Sequence, residues 1–127
     1  MKKVIILATF LLPLSSAMAL DCTHATTQTD MSLCARESYK NSDEAMNKVY
    51  QEILRKIEGE QKKLLKISQK NWIKYRDYDC DFRTSISKDG SINPMLKAQC
   101  LEEITTERKK QLDKMLNCEE GDLTCAL

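Results

Sequence analysis

Six cysteines, Cys22, Cys34, Cys80, Cys100, Cys118 and Cys125, and a single histidine, His24, are the residues with the most chemistry to offer in this chain. A nucleophilic thiol or hydroxyl needs a base beside it. His24 instead sits next to Thr23 in a short N-terminal segment, outside any Ser-His-Asp or Cys-His arrangement. Structural zinc sites use close Cys-x(2–4)-Cys pairs, and no two of these cysteines are that near in sequence. An even set of cysteines in an oxidising compartment ends up paired. The reading is three disulfides.

Other catalytic patterns are missing as well. Aspartate and glutamate are plentiful, but no spacing singles out the acid and base that glycoside hydrolysis needs. Glu119, Glu120 and Asp122 lack the alternating oxygen ligands of a calcium loop and read as a solvated acidic tail. Gly59, Gly90 and Gly121 are isolated, so there is no phosphate-cradling loop. The expectation is a protein that is not an enzyme, with no catalytic residue, no metal and no cofactor.

The compartment follows from the start of the chain. Met1, Lys2 and Lys3 form a short basic region, Val4 to Leu14 an apolar run, and Ala17-Met18-Ala19 a small-x-small cleavage site. Residues 1–19 therefore read as a signal peptide and 20–127 as one mature domain, periplasmic or secreted. The apolar run is shorter than the ~20 residues a membrane-spanning helix requires. Cys22 follows Leu20 and Asp21 instead of small residues at the cut, which argues against a lipid anchor. With 20 basic and 19 acidic residues interspersed along the chain, no basic patch points to nucleic acid or an anionic membrane.

What positions these residues is a set of helices. Three glycines and Pro94 are too few for the repeated turns of an all-β domain. Thr29-Asp30 offers a helix start, and Tyr39, Met46, Tyr50, Ile53 and Ile57 recur at helical spacing until Gly59 breaks the run. A second stretch has Leu65, Ser68, Trp72 and Cys80 on one side and lysines largely on the other. Thr84 to Asn93 reads as a polar loop, and Pro94 suits the first turn of a third helix carrying Leu101, Ile104, Leu112 and Met115. The fold class is an all-α, disulfide-bonded antiparallel bundle of three main helices, with consecutive helices expected as neighbours.

Both helices of the first hairpin rise ~1.5 Å per residue, so residues equally far from the Gly59 turn lie level. Asp43 and Arg76 satisfy that condition. Each interrupts an apolar stripe, as does Arg108 between Ile104 and Leu112. Unpaired charges in a core are costly, so Asp43, Arg76 and Arg108 are expected to satisfy one another as a structural ion-pair network or to reach solvent at a cleft. Trp72 reads as a core residue. The same layout favours nearest-neighbour bridges, Cys22–Cys34, Cys80–Cys100 and Cys118–Cys125, with Cys34–Cys100 a geometric alternative.

The order of residues also resembles a known family. Thr27-Gln28-Thr29-Asp30-Met31 leading to Cys34-Ala35, followed by Tyr39, Asp43, Asn47 and Tyr50, is similar to the opening of the LprI-type lysozyme inhibitors. Gln69-Lys70-Asn71-Trp72-Ile73-Lys74-Tyr75-Arg76-Asp77-Tyr78-Asp79-Cys80 resembles their Gln-x-x-Trp-Ile-x-Tyr-Arg-Asp-x-x-Cys segment, and Gly90-Ser91, Thr105 and Arg108 look like the rest. The resemblance runs from about Asp21 to Leu116; Cys118 and Cys125 lie beyond it. It implies a small disulfide-bonded helical domain of the periplasm, with Asp43, Arg76 and Arg108 as recurring positions, and a lysozyme as protein partner.

Two functions compete on this reading. The first is a non-enzymatic inhibitor that occludes a lysozyme's sugar cleft with the Thr84 to Asn93 loop. Lys88 would approach catalytic carboxylates, and Ser85, Ser87 and Ser91 would stand in for sugar hydroxyls; an ordinary solvated connection is the plainer account of that loop. The second is a periplasmic protein-interaction module, an immunity or envelope-stress partner without lysozyme activity. A wall hydrolase is disfavoured by the missing site, and the sequence leaves the oligomeric state open.

Overall fold

The computed structural model describes residues 20–119, 121–125 and 127; the signal peptide expected at residues 1–19 lies outside them. Three long helices follow one another: α1 (Gln28–Lys56), α2 (Gly59–Arg83) and α3 (Asn93–Leu116). A short 3-10 turn, Ser85–Ser87, lies between α2 and α3. No strand occurs among the described residues.

Local sequence accounts for the helix ends. Thr27 caps α1: its Oγ1 accepts from the Asp30 backbone N–H at 3.1 Å and donates to the Asp30 carboxylate at 2.7 Å. The cap therefore lies two residues before Thr29 of the Thr29-Asp30 signal, because the hydroxyl that reaches the first-turn donor belongs to Thr27. Ile57 ends α1 in an extended conformation, and Gly59 opens α2 at φ +55, a left-handed geometry that a side chain disfavours. Pro94 sits in the first turn of α3, where its missing N–H costs nothing.

The core gathers where α1 ends and α2 begins. Met46, Val49, Ile53, Leu54 and Ile57 pack with Leu112 of α3, and Tyr50, Leu65, Trp72 and Leu116 lie against them half-buried. Full burial of a side chain such as Met46 or Leu112 stabilises the fold by roughly 1.5–3 kcal/mol. At the opposite end two disulfides do the fastening. Cys22–Cys34 ties the N-terminal segment to α1, and Cys80–Cys100 ties α2 to α3 across the turn. Cys118–Cys125 closes a ring in the C-terminal tail.

The helix packing departs from the expected neighbour order. The backbones of α1 and α3 approach most closely, not those of α1 and α2. Ser38 donates to Glu102 at 2.7 Å and Thr106 to Ser42 at 3.5 Å, so the two helices advance together and run parallel. Small residues such as Ala35, Ser38, Ser42, Ala98 and Thr105 let them close up. The backbone of α2 stands further off, and long side chains fill the space: Gln69 Nε2 meets Met46 Sδ at 3.5 Å, and Arg76 reaches Asp43. A short turn fixes chain direction, but side-chain volume fixes distance.

Candidate functional site

Arg76 is placed by α2 at the level of Asp43 on α1. Its Nη1 donates to Asp43 at 3.0 Å and to Thr105 Oγ1 of α3 at 3.3 Å, and its Nε donates to Asp77 at 3.0 Å. The guanidinium carbon lies 5.5 Å from the Tyr39 ring centre and 5.2 Å from that of Trp72. One side chain thus joins all three helices. Only 8% of it is exposed, while the Asp43 side chain is 34% exposed, so the carboxylate keeps one side in water. Burial raises Tyr39 above the ordinary phenol value of 10.0, with Arg76 opposing that shift and Asp43 and Asp77 adding to it.

Arg108 does not join Asp43. It lies over the other partner ring of the cluster, 5.8 Å from the Trp72 centre, and donates to Gln69 Oε1 at 3.1 Å, Gln111 Oε1 at 3.1 Å and Ser68 Oγ at 3.4 Å. No carboxylate forms an ion pair with it among the described residues. Neutral amides and an aromatic face satisfy this cation, and burial pulls its pKa below the ordinary guanidinium value. Trp72 is therefore half-buried between arginines instead of sealed in the core, and it lines a shallow depression of about 300 Å³ with Tyr75, Ile104, Glu107, Arg108 and Gln111.

Two buried polar residues carry this arrangement, Gln69 and Thr105, which the sequence offers as positions of the family resemblance but not as partners of the arginines. Gln69 is 3% exposed and Thr105 fully buried. Gln69, not Ser68, occupies the inner face of α2; the signal was its i+4 step from Leu65 and its place three before Trp72.

The turn after α2 is fixed by its own hydrogen bonds. Thr84 Oγ1 donates to the Cys80 carbonyl at 2.7 Å, and the Thr84 carbonyl accepts from Ser87 Oγ at 2.9 Å and Asn93 Nδ2 at 3.0 Å. Ser87 also accepts from Asn93 at 3.1 Å, so its hydroxyl is committed within the turn. Ser85 and Lys88 border an open depression of about 510 Å³ with Asp81, Thr84, Asn93 and Lys97. Ser91 belongs to a different one, about 240 Å³, against the start of α1. Of the four candidate loop residues, Ser85 and Lys88 thus border one depression and Ser91 another.

Elsewhere, His24 Nδ1 lies 2.7 Å from Asp21 and 2.9 Å from Thr23 Oγ1, all exposed to solvent. Hydrogen bonds from Thr23 and then His24 hold Asp21 below its usual carboxylate value. Thr124 does the same for Asp122 in the tail. Among the described residues no three His, Cys, Asp or Glu side chains are grouped to hold a metal ion, and no helix is long and apolar enough to cross a membrane.

These features define a class: a small all-α domain, tied by three disulfides and organised about two buried arginines against one tryptophan. The chain belongs to the lysozyme inhibitor LprI family, whose model matches residues 21–112. It is 31% identical over 114 residues to an uncharacterized protein, R02472, of Rhizobium meliloti (strain 1021), covering 80% of this chain and 82% of that one. No solved structure matches it. The disulfides fit an exported protein, and the family is one of inhibitors acting on a protein partner.

Proposed function

We propose that this chain is an exported, non-enzymatic inhibitor of a peptidoglycan-cleaving lysozyme. The family match over residues 21–112 carries the reading, because it spans α1, α2, most of α3 and the first two disulfides. Export rests on the basic-apolar-small pattern of residues 1–19 together with the paired cysteines.

The turn after α2 is the contact surface in this reading. Rigid loops lose little freedom on binding, and this one is held by the Cys80–Cys100 bridge and by the Thr84, Ser87 and Asn93 bonds. Ile86 stands fully exposed at its tip, between Ser85 and Ser87 and two residues before the exposed Lys88. An apolar tip with an adjacent cation suits a sugar cleft whose catalytic groups are carboxylates. The test is wall lysis by a panel of lysozymes, vertebrate and goose types included, with increasing amounts of the oxidised protein. Protection by substoichiometric to stoichiometric inhibitor is the expected result; lysis unchanged at every excess overturns the proposal.

A further inference from the structure

The exposed face of α2 carries an apolar stripe that nothing among the described residues covers, with Leu64 and Tyr75 at the edge that borders depressions shared with α1 and α3. Leu64, Ile67, Tyr75, Tyr78 and Phe82 are 57%, 48%, 58%, 74% and 77% exposed. Their spacing, with Asn71 completing the row, is that of one helix face. Isolated exposed apolar residues need no explanation, but a continuous row of this kind marks an interaction surface.

The charges beside the stripe identify the occupant. One flank bears Lys66 and Lys70 towards the start of α2 and Asp77 and Asp81 towards its end. Lys66, Lys70 and Lys74 make no ion pair among the described residues. Asp77 and Asp81, though joined to Arg76 and Lys97, keep about half their side-chain surface in solvent. The row is also nearly symmetric about Ile73. Leu64 and Phe82 are equally far from it, as are Asn71 and Tyr75, and Ile67 matches Tyr78 to within one residue.

We propose that a second copy of this chain binds here, α2 against α2 in antiparallel order about a two-fold axis that crosses the stripe at the level of Ile73, whose own side chain lies on the other side of the helix. In such a pair like flanks meet like flanks and the helix ends exchange. Leu64 would then face the second copy's Phe82, Lys66 its Asp81, and Lys70 its Asp77, each contact occurring twice by symmetry. A parallel pair would set the two lysine-bearing halves side by side. One helix face lies at the small end of interface sizes, so the dimer is reversible. The two Ser85–Ser87 turns would point from opposite ends, leaving each free. This inference goes beyond the lysozyme reading and does not depend on it.

Sedimentation velocity of the oxidised protein over a range of concentrations tests it. The expected result is a monomer–dimer equilibrium weakened by salt. Tyr78→Glu and Phe82→Glu should each raise the dimer dissociation constant at least tenfold while helical circular dichroism is unchanged. Lys66→Glu and Asp81→Lys should each weaken association, and the double variant should recover most of it. A protein that stays monomeric up to its solubility limit, a dimer indifferent to the two apolar-to-Glu changes, or a charge swap without recovery overturns the proposal.

Discussion

Arg76 and Asp43 meet at 3.0 Å across α2 and α1, two helices whose backbones otherwise stand apart. The guanidinium also bonds Thr105 of α3 and covers Tyr39 and Trp72, so it bridges a gap that aliphatic side chains do not fill. Arg76→Ala is expected to destabilise by about 3 kcal/mol in urea unfolding, through lost packing as much as lost charge. Asp43→Asn should cost no more than about 1 kcal/mol, because that carboxylate is partly hydrated. Equal costs for the two would mean the ion pair itself, and not the packing of the guanidinium, is the dominant part.

Arg108 offers a contrasting case, a buried cation held by amides. Gln69→Leu removes the acceptor of its Nε and should cost about 2 kcal/mol by leaving a donor unpaired. Replacing both partners, Gln69→Leu with Arg108→Met, should cost less than the sum of the single changes, since neither polar group is then stranded. A double-mutant cycle by chemical denaturation measures the difference; strict additivity would show that the two residues act independently.

The disulfides should contribute unequally. Removing Cys80–Cys100, whose cysteines are 20 residues apart and join α2 to α3, is expected to cost about 3 kcal/mol. Replacing Cys118 and Cys125 by serine should leave the helical melting temperature nearly unchanged, because the ring lies in a largely exposed tail. Thermal melts followed by circular dichroism check both.

Alkaline pH provides a readout of the Tyr39 environment. Burial, set against Arg76 and reinforced by Asp43 and Asp77, raises its pKa above 10.0, so the folded state holds the phenol proton more tightly than the unfolded chain. The stability this contributes is fully present below pH about 10 and is lost as pH rises through the folded-state value. Tyr39→Phe should flatten that part of the pH–stability curve. An unchanged slope would assign the alkaline loss to other groups, such as Tyr50, which burial also raises.

At the turn, Ile86→Glu and Lys88→Glu are expected to lower lysozyme inhibition at least tenfold without shifting the melting temperature, since both side chains are exposed. Ser87→Ala should behave differently, destabilising by about 1 kcal/mol through the turn's hydrogen bonds. Inhibition assays paired with melts separate the two effects.

Helix content, the helix breaks at Gly59 and before Pro94, and the disulfide partners were legible in the sequence because each depends on short-range rules. Gly59 and Pro94 punctuate the chain, the 3.6-residue period marks the buried faces, and the cysteine pairs bridge segments that short connections already bring near. The level of Arg76 with Asp43 followed from helical rise alone. Interhelix distance did not, because it depends on which side chains interlock across long separations: serines, alanines and threonines draw α1 and α3 together, while Gln69, Trp72 and two arginines hold α2 away. Only that packing decided that Arg108 is satisfied by amides, and that Tyr75, Tyr78 and Phe82, aromatic residues on a long helix, face outward with nothing among the described residues to cover them.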